Sequence, residues 1–225
     1  PELDGVAYGK PVTFRPFINA YQYMKYDAEK NEYSNRSIIF KSWKDEAIDA
    51  KGGVRCGKIP AKELANLSEE ERSRQKAIKC YRLIYGMVSF EGVLAGGNEA
   101  QVVNLPVLWK VTGSNFKPVG EAIESLRRRG KVMFNHTLTL KTKKKKAGSN
   151  VFYVSDITVD TDEVSFTDAE KETLLNFQEV INTENEEIVE LWRQAKKAEP
   201  VTVKASEAKT VDADFDDDPI EVLSS

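Results

Sequence analysis

Histidine is all but missing from this sequence, with His136 alone in 225 residues, and only two cysteines, Cys56 and Cys80, accompany it. One imidazole and two thiols without ligand spacing give no basis for a zinc site, and no further group orients a Cys–His nucleophilic pair. Neither a metal nor a cofactor is expected. Two cysteines also fall short of a disulfide framework, and reduced thiols in a cytoplasm are the simplest expectation. Long apolar runs are missing as well. No stretch approaches the ~18 residues that a membrane span requires, and the first residues hold no apolar signal region. Pro1 stands where an initiator Met would, so earlier residues are expected in the natural chain. Acidic residues in the first two thirds are scattered, without the cluster that a metal-dependent nuclease needs, and Asp156 and Asp160 are expected in a turn. The chain is not expected to be an enzyme.

Charge is present in quantity and unevenly placed. Residues 1–160 carry 27 Lys+Arg against 18 Asp+Glu, whereas residues 161–225 carry 6 against 18, which hides beneath a net charge of −3. A basic body joined to an acidic C-terminal third points to a polyanionic partner for the body.

Hydrophobic periodicity predicts a β-rich α+β body. Tyr21, Tyr23 and the stem of Lys25 alternate with Gln22, Met24 and Tyr26, the pattern of a half-buried strand. Strands are expected at Tyr81–Phe90, at Gln101–Val111 with Pro106 marking an edge or bulge, at Lys131–Lys141 and at Val151–Val159. Ser68 with Glu71 forms a capping box for a helix over 69–79. Pro118 opens a helix whose Val119, Ile123 and Leu126 make one apolar stripe, with Gly130 as its C-terminal stop. A helix between the third and fourth of five strands is the order of an OB-fold, a five-stranded barrel that binds oligonucleotides. On this frame residues 1–160 are the binding domain, with 42–78 inserted as a loop containing a helix. Thr167 with Glu170 and Thr183 with Glu186 predict two amphipathic helices over 161–197, which are candidates for self-association as a homodimer. Residues 198–225 have no periodicity and are expected to be a disordered acidic tail.

The candidate binding residues follow from this frame. Lys141 and Lys143, Lys144, Lys145 and Lys146 are expected in a hairpin loop over 143–150, where adjacent cations repel unless phosphates offset them. Arg127, Arg128, Arg129 and Lys131 form a second cluster, whose charge also complements a helix C-terminus. Ring stacking grips bases without sequence preference, and Trp43, Tyr81, Tyr85, Trp109 and Tyr153 are the rings set among cations, Arg82 included. Gly52-Gly53-Val54-Arg55-Cys56-Gly57-Lys58 is superficially like a phosphate-binding P-loop. Ile59 replaces the required hydroxyl and the preceding segment is charged, so nucleotide hydrolysis is excluded. Lys51, Arg55 and Lys58 remain as a basic loop for a nucleic-acid strand. In the tail, Asp212, Asp214, Asp216, Asp217 and Asp218 surround Phe215 and precede Ile220, a pattern suited to partner proteins.

The Tyr81-Arg82-Leu83-Ile84-Tyr85-Gly86 strand, the Gly113-Ser114-Asn115-Phe116-Lys117-Pro118 helix entry, the lysine run followed by Val151-Phe152-Tyr153-Val154, and the acidic end together resemble the single-stranded-DNA-binding proteins of bacteriophages. The resemblance implies an OB-fold that coats and protects single strands during phage replication and recombination in the host cytoplasm, with the tail recruiting replication or recombination proteins. Such tails commonly finish in an aromatic residue, and here the last residues are Leu223-Ser224-Ser225. Two other readings compete with it. One is a phage protein that blocks or bridges host enzymes, its acidic third mimicking DNA. The other is an annealing recombinase.

Overall fold

The structure, a computed structural model, describes residues 6–198. Strands β1 (Ala7–Gly9), β2 (Val12–Asp27), β3 (Glu32–Arg36), β4 (Ile78–Leu94), β5 (Glu99–Val111), β6 (Leu138–Ala147) and β7 (Asn150–Val159) form a mostly antiparallel, open sheet. Its path is β1-β4-β2-β6-β7, with β3 on β2 and β5 on β4. The helices are α1 (Ala61–Leu64), α2 (Glu69–Lys76), α3 (Phe116–Arg128) and α4 (Asp168–Ala198). The chain is therefore α+β and rich in strand. None of the helices among the described residues is long and apolar enough to cross a membrane.

The chain divides into two compact units that do not follow sequence order. One gathers the residues up to Asn19 with Arg82–Glu179; the other gathers Ala20–Tyr81 with α4 from Val180 onward. The inserted stretch 42–78 lies within the second unit.

In the first unit, apolar residues at the expected helical spacing put Val119, Ile123 and Leu126 of α3 into a core with Phe14, Ile84, Val111 and Leu138. Gly130, at φ 66, ends the helix, and the amide of Lys131 donates to the Leu126 carbonyl. The other side of β2 is also covered. Phe17 meets the rings of Phe166 and Phe177 edge-on, and buried Arg15 bonds Glu170 at the start of α4. Thr167 and Glu170 form the expected reciprocal cap there. Gly86 lets β4 approach β2, since a methyl group there would overlap the Arg15 carbonyl and sit 2.8 Å from a Phe14 ring carbon. Gly86→Ala should cost about 2–3 kcal/mol in urea unfolding, while Gly96→Ala, with nothing within 4 Å, should stay within about 0.5 kcal/mol. Equal effects would remove the packing role of Gly86.

In the second unit, β2 pairs with β3 from Met24 to Asp27. The strand expected to be half-buried is covered on both faces here, and Gln22 is buried: its amide donates to the Ser37 carbonyl at 2.9 Å and to Glu184 of α4 at 2.8 Å. Asn185 pairs its side-chain amide with both the amide and the carbonyl of Ile39. Burial is the main cause that lifts the Cys56 thiol to about 12, which keeps it protonated and unreactive at neutral pH.

Three expectations about elements change. The lysine stretch is strand and not loop: β6 and β7 pair from Leu138↔Val159 to Ala147↔Asn150, leaving a two-residue turn with Gly148 at φ 58. The β-forming partners Val151 to Val154 hold the lysines extended. The strand expected from Lys131 begins only at Leu138, because a short turn over Met133–Asn135 brings the Phe134 carbonyl to Arg15. The two C-terminal helices are one, since no Gly or Pro interrupts residues 168–198 and Thr183 lies inside a continuous helix.

Candidate nucleic-acid interface

Five of the expected lysines and one of the expected rings meet on the β6–β7 ribbon. Lys141 and Lys143 to Lys146 are all exposed, and so is Tyr153, at 60% the most accessible of the candidate rings. Cross-strand register sets Lys144 directly opposite Tyr153, with Lys146 opposite Val151 and Thr142 opposite Ser155. Side chains alternate along a strand, so these six share one face. The odd-numbered lysines share the other face, where Lys143 is opposite buried Val154, Lys145 opposite half-buried Phe152 and Lys141 opposite Asp156. From Thr142 to Ser155 the ribbon holds four lysines and no acidic residue. A flat ring flanked by ammonium groups stacks a base and neutralises its phosphates at the same time.

One anchor of this ribbon was not anticipated as such. The Asn115 side chain accepts from the Ser155 amide at 2.6 Å, which fixes the start of α3 to β7. Exposed Lys117 follows two residues later. The Gly113–Pro118 helix entry contained both residues, but nothing local tied them to a strand forty positions away.

Arg127, Arg128, Arg129 and Lys131 are exposed but lie at the other end of α3, about 18 Å along its axis from Asn115. Arg127 pairs with Glu124 at 3.0 Å and Lys131 with Glu163 at 2.6 Å. The Lys131 ammonium holds the Glu163 carboxyl below its ordinary range. This cluster is thus separate from the lysine ribbon, and two of its four cations already have partners.

Arg82 and Tyr85 are corrected outright. Tyr85 is 2% exposed, its ring against Phe177, and Arg82 is buried with its guanidinium over the Phe116 ring and bonded to Asn19. A base has no access to either, because β4 is buried on both faces from Arg82 to Gly86. Trp109 is half-buried and faces inward, meeting Phe14 edge-on in the core.

The remaining candidates belong to the second unit. Trp43 is half-buried with its ring over Tyr21 at 4.1 Å, and the Trp43 carbonyl accepts from Arg55 at 3.3 Å. Arg55 and Lys58 both lie over the buried Tyr23 ring, at 5.9 and 6.0 Å. Lys51 is exposed. Tyr81 meets Tyr33 edge-on, and the Tyr33 hydroxyl donates to the Tyr81 hydroxyl at 3.2 Å. Burial pushes the Tyr81 phenol up to about 12, so it stays neutral at any ordinary pH. His136 is buried, with Nδ1 3.2 Å from the Asp160 carbonyl. Asp212, Asp214, Phe215, Asp216, Asp217, Asp218 and Ile220 lie outside the described residues.

No protein-family model, curated protein or solved structure matches the chain. The site is therefore read from its own geometry.

Proposed function

We propose that the protein binds single-stranded DNA without strong sequence preference and makes or breaks no bond in doing so. The observation that carries this reading is the exposed Tyr153 ring directly opposite Lys144, beside Lys146, on the part of the ribbon from Thr142 to Ser155 that holds no acidic residue. The sheet path supports it. Taking β2, β4, β5, β6 and β7 as strands one to five, the order β5-β4-β2-β6-β7 with α3 between β5 and β6 agrees with the order proposed for an OB-fold, as an open sheet. The ribbon is then the four–five hairpin, one of the two loops through which such folds hold oligonucleotides. A role in phage replication or recombination, with the acidic segment Asp212–Asp218 recruiting partner proteins, completes the proposal.

Titration of the full chain with labelled oligo-dT tests it. Four phosphate contacts on a single strand imply a salt slope near −3, so affinity should fall about 50-fold between about 50 and 200 mM salt. Absence of binding at the lower salt, or binding indifferent to salt, would end the reading.

A further inference from the structure

We infer that the two strands of the β6–β7 ribbon divide a bound single strand between them, its backbone along the outer margin of β6 and its bases over β7. Tyr153 takes one base and Val151 the next, which makes Val151 a specificity-determining residue that favours thymine over uracil. This rests on the ribbon's being a single-strand contact.

Charge and apolar surface are segregated by strand. From Lys141 to Lys146 β6 carries five lysines, whereas β7 from Val151 to Ser155 carries none. Tyr153, 60% exposed, and Val151, 50% exposed, stand on the same face of β7, about 6.8 Å apart as alternate residues of a strand. A nucleic-acid strand laid across the ribbon would meet one lysine row and then carry its next phosphates over β7, where there is no cation. Laid lengthwise, it keeps its phosphates beside β6 and sets consecutive bases on Tyr153 and Val151. The margin of β6 is open for this. β2 pairs with it only from Leu138 to Leu140, and among the described residues no other strand takes that side. Lys143 and Lys145 rise from the side of Val154 and Phe152, yet both are exposed while Val154 is buried, so their long arms turn out toward the margin. Lys143 to Lys146 thereby all serve one backbone, in keeping with four phosphate contacts on a single strand. Val151 offers only methyl groups, which gain by covering the C5 methyl of thymine and find none on uracil.

The test compares labelled oligo-dT with oligo-dU of equal length, both on deoxyribose, in titrations of the full chain at low salt. The natural protein should bind oligo-dT about threefold tighter, since one methyl group leaves water. Val151→Ser should bind the two ligands within about 1.3-fold of each other. Lys143→Thr/Lys145→Thr should keep the preference, weaken both ligands about 10-fold and lower the salt slope by about 1.4. Threonine favours strand and position 151 is exposed, and urea unfolding checks that each variant stays folded. A natural protein without preference for oligo-dT, a preference that survives Val151→Ser, or a slope unmoved by Lys143→Thr/Lys145→Thr would each overturn the inference. Binding of neither ligand by the natural protein would instead overturn the single-strand reading itself.

Discussion

Reversing Lys144 and Lys146 together to Glu is expected to weaken oligo-dT binding about 100-fold at low salt and to lower the salt slope by about 1.4. Both side chains are exposed on the Tyr153 face of the ribbon, and each reversal removes one phosphate contact and adds a repulsion. Tyr153→Ala should differ in kind: about 10-fold weaker binding with the slope unchanged, since stacking releases no counterions. Fluorescence anisotropy over a series of salt concentrations reads both quantities. Lys62→Glu/Lys76→Glu, on the exposed surfaces of α1 and α2, changes the net charge equally and serves as the control. If the control pair lowered affinity as much as the ribbon pair, bulk charge and not this site would account for binding.

Arg15→Met should destabilise the protein by about 3–5 kcal/mol, enough to show plainly in thermal or urea unfolding. The Arg15 guanidinium is buried, ion-paired with Glu170 and bonded to the carbonyls of Phe134 at 2.8 Å, Ser165 at 3.0 Å and Val164 at 3.3 Å. It also lies over the rings of Phe17 and Phe166. Removing it strands a nearly buried carboxylate, and that penalty exceeds the net worth of the pair. Combining Arg15→Met with Glu170→Gln should therefore recover part of the loss. A loss under about 1 kcal/mol for Arg15→Met would show that this network is replaceable.

Local signals carried much of the fold. The α3 stripe, the Gly130 stop, the Ser68 and Thr167 caps and the strand character of β4, β5 and β7 all depend on residues within a few positions of one another, and all stand in the structure. What was not legible depends on distant partners. A run of four lysines looks like a solvated loop until Val151 to Val154 are known to pair with it. Tyr85 looks like a stacking ring until Phe177, far along the chain, covers it. The Arg127–Arg129 run and the lysine run are two clusters in sequence, and only the structure shows that the length of the α3 axis lies between them. Charge drew attention to the lysine run, but only register distinguished the face with the exposed Tyr153 ring from the face with half-buried Phe152 and buried Val154.

Any protein at high local concentration meets copies of itself, and β5 bears on how this one tolerates such crowding. Among the described residues β5 pairs only with β4, as Pro106 had suggested, so its far side is a row of backbone donors and acceptors. Such a margin invites a neighbouring copy to zip on and seed fibrils. Pro106 deletes one donor from the row, and Asn104, held at φ 50 by its bond with Ser89, bends the chain out of line two residues earlier. Copies packed side by side are thus discouraged from merging into insoluble sheets, and the guard lies in the backbone, where changes to the surface charge leave it intact.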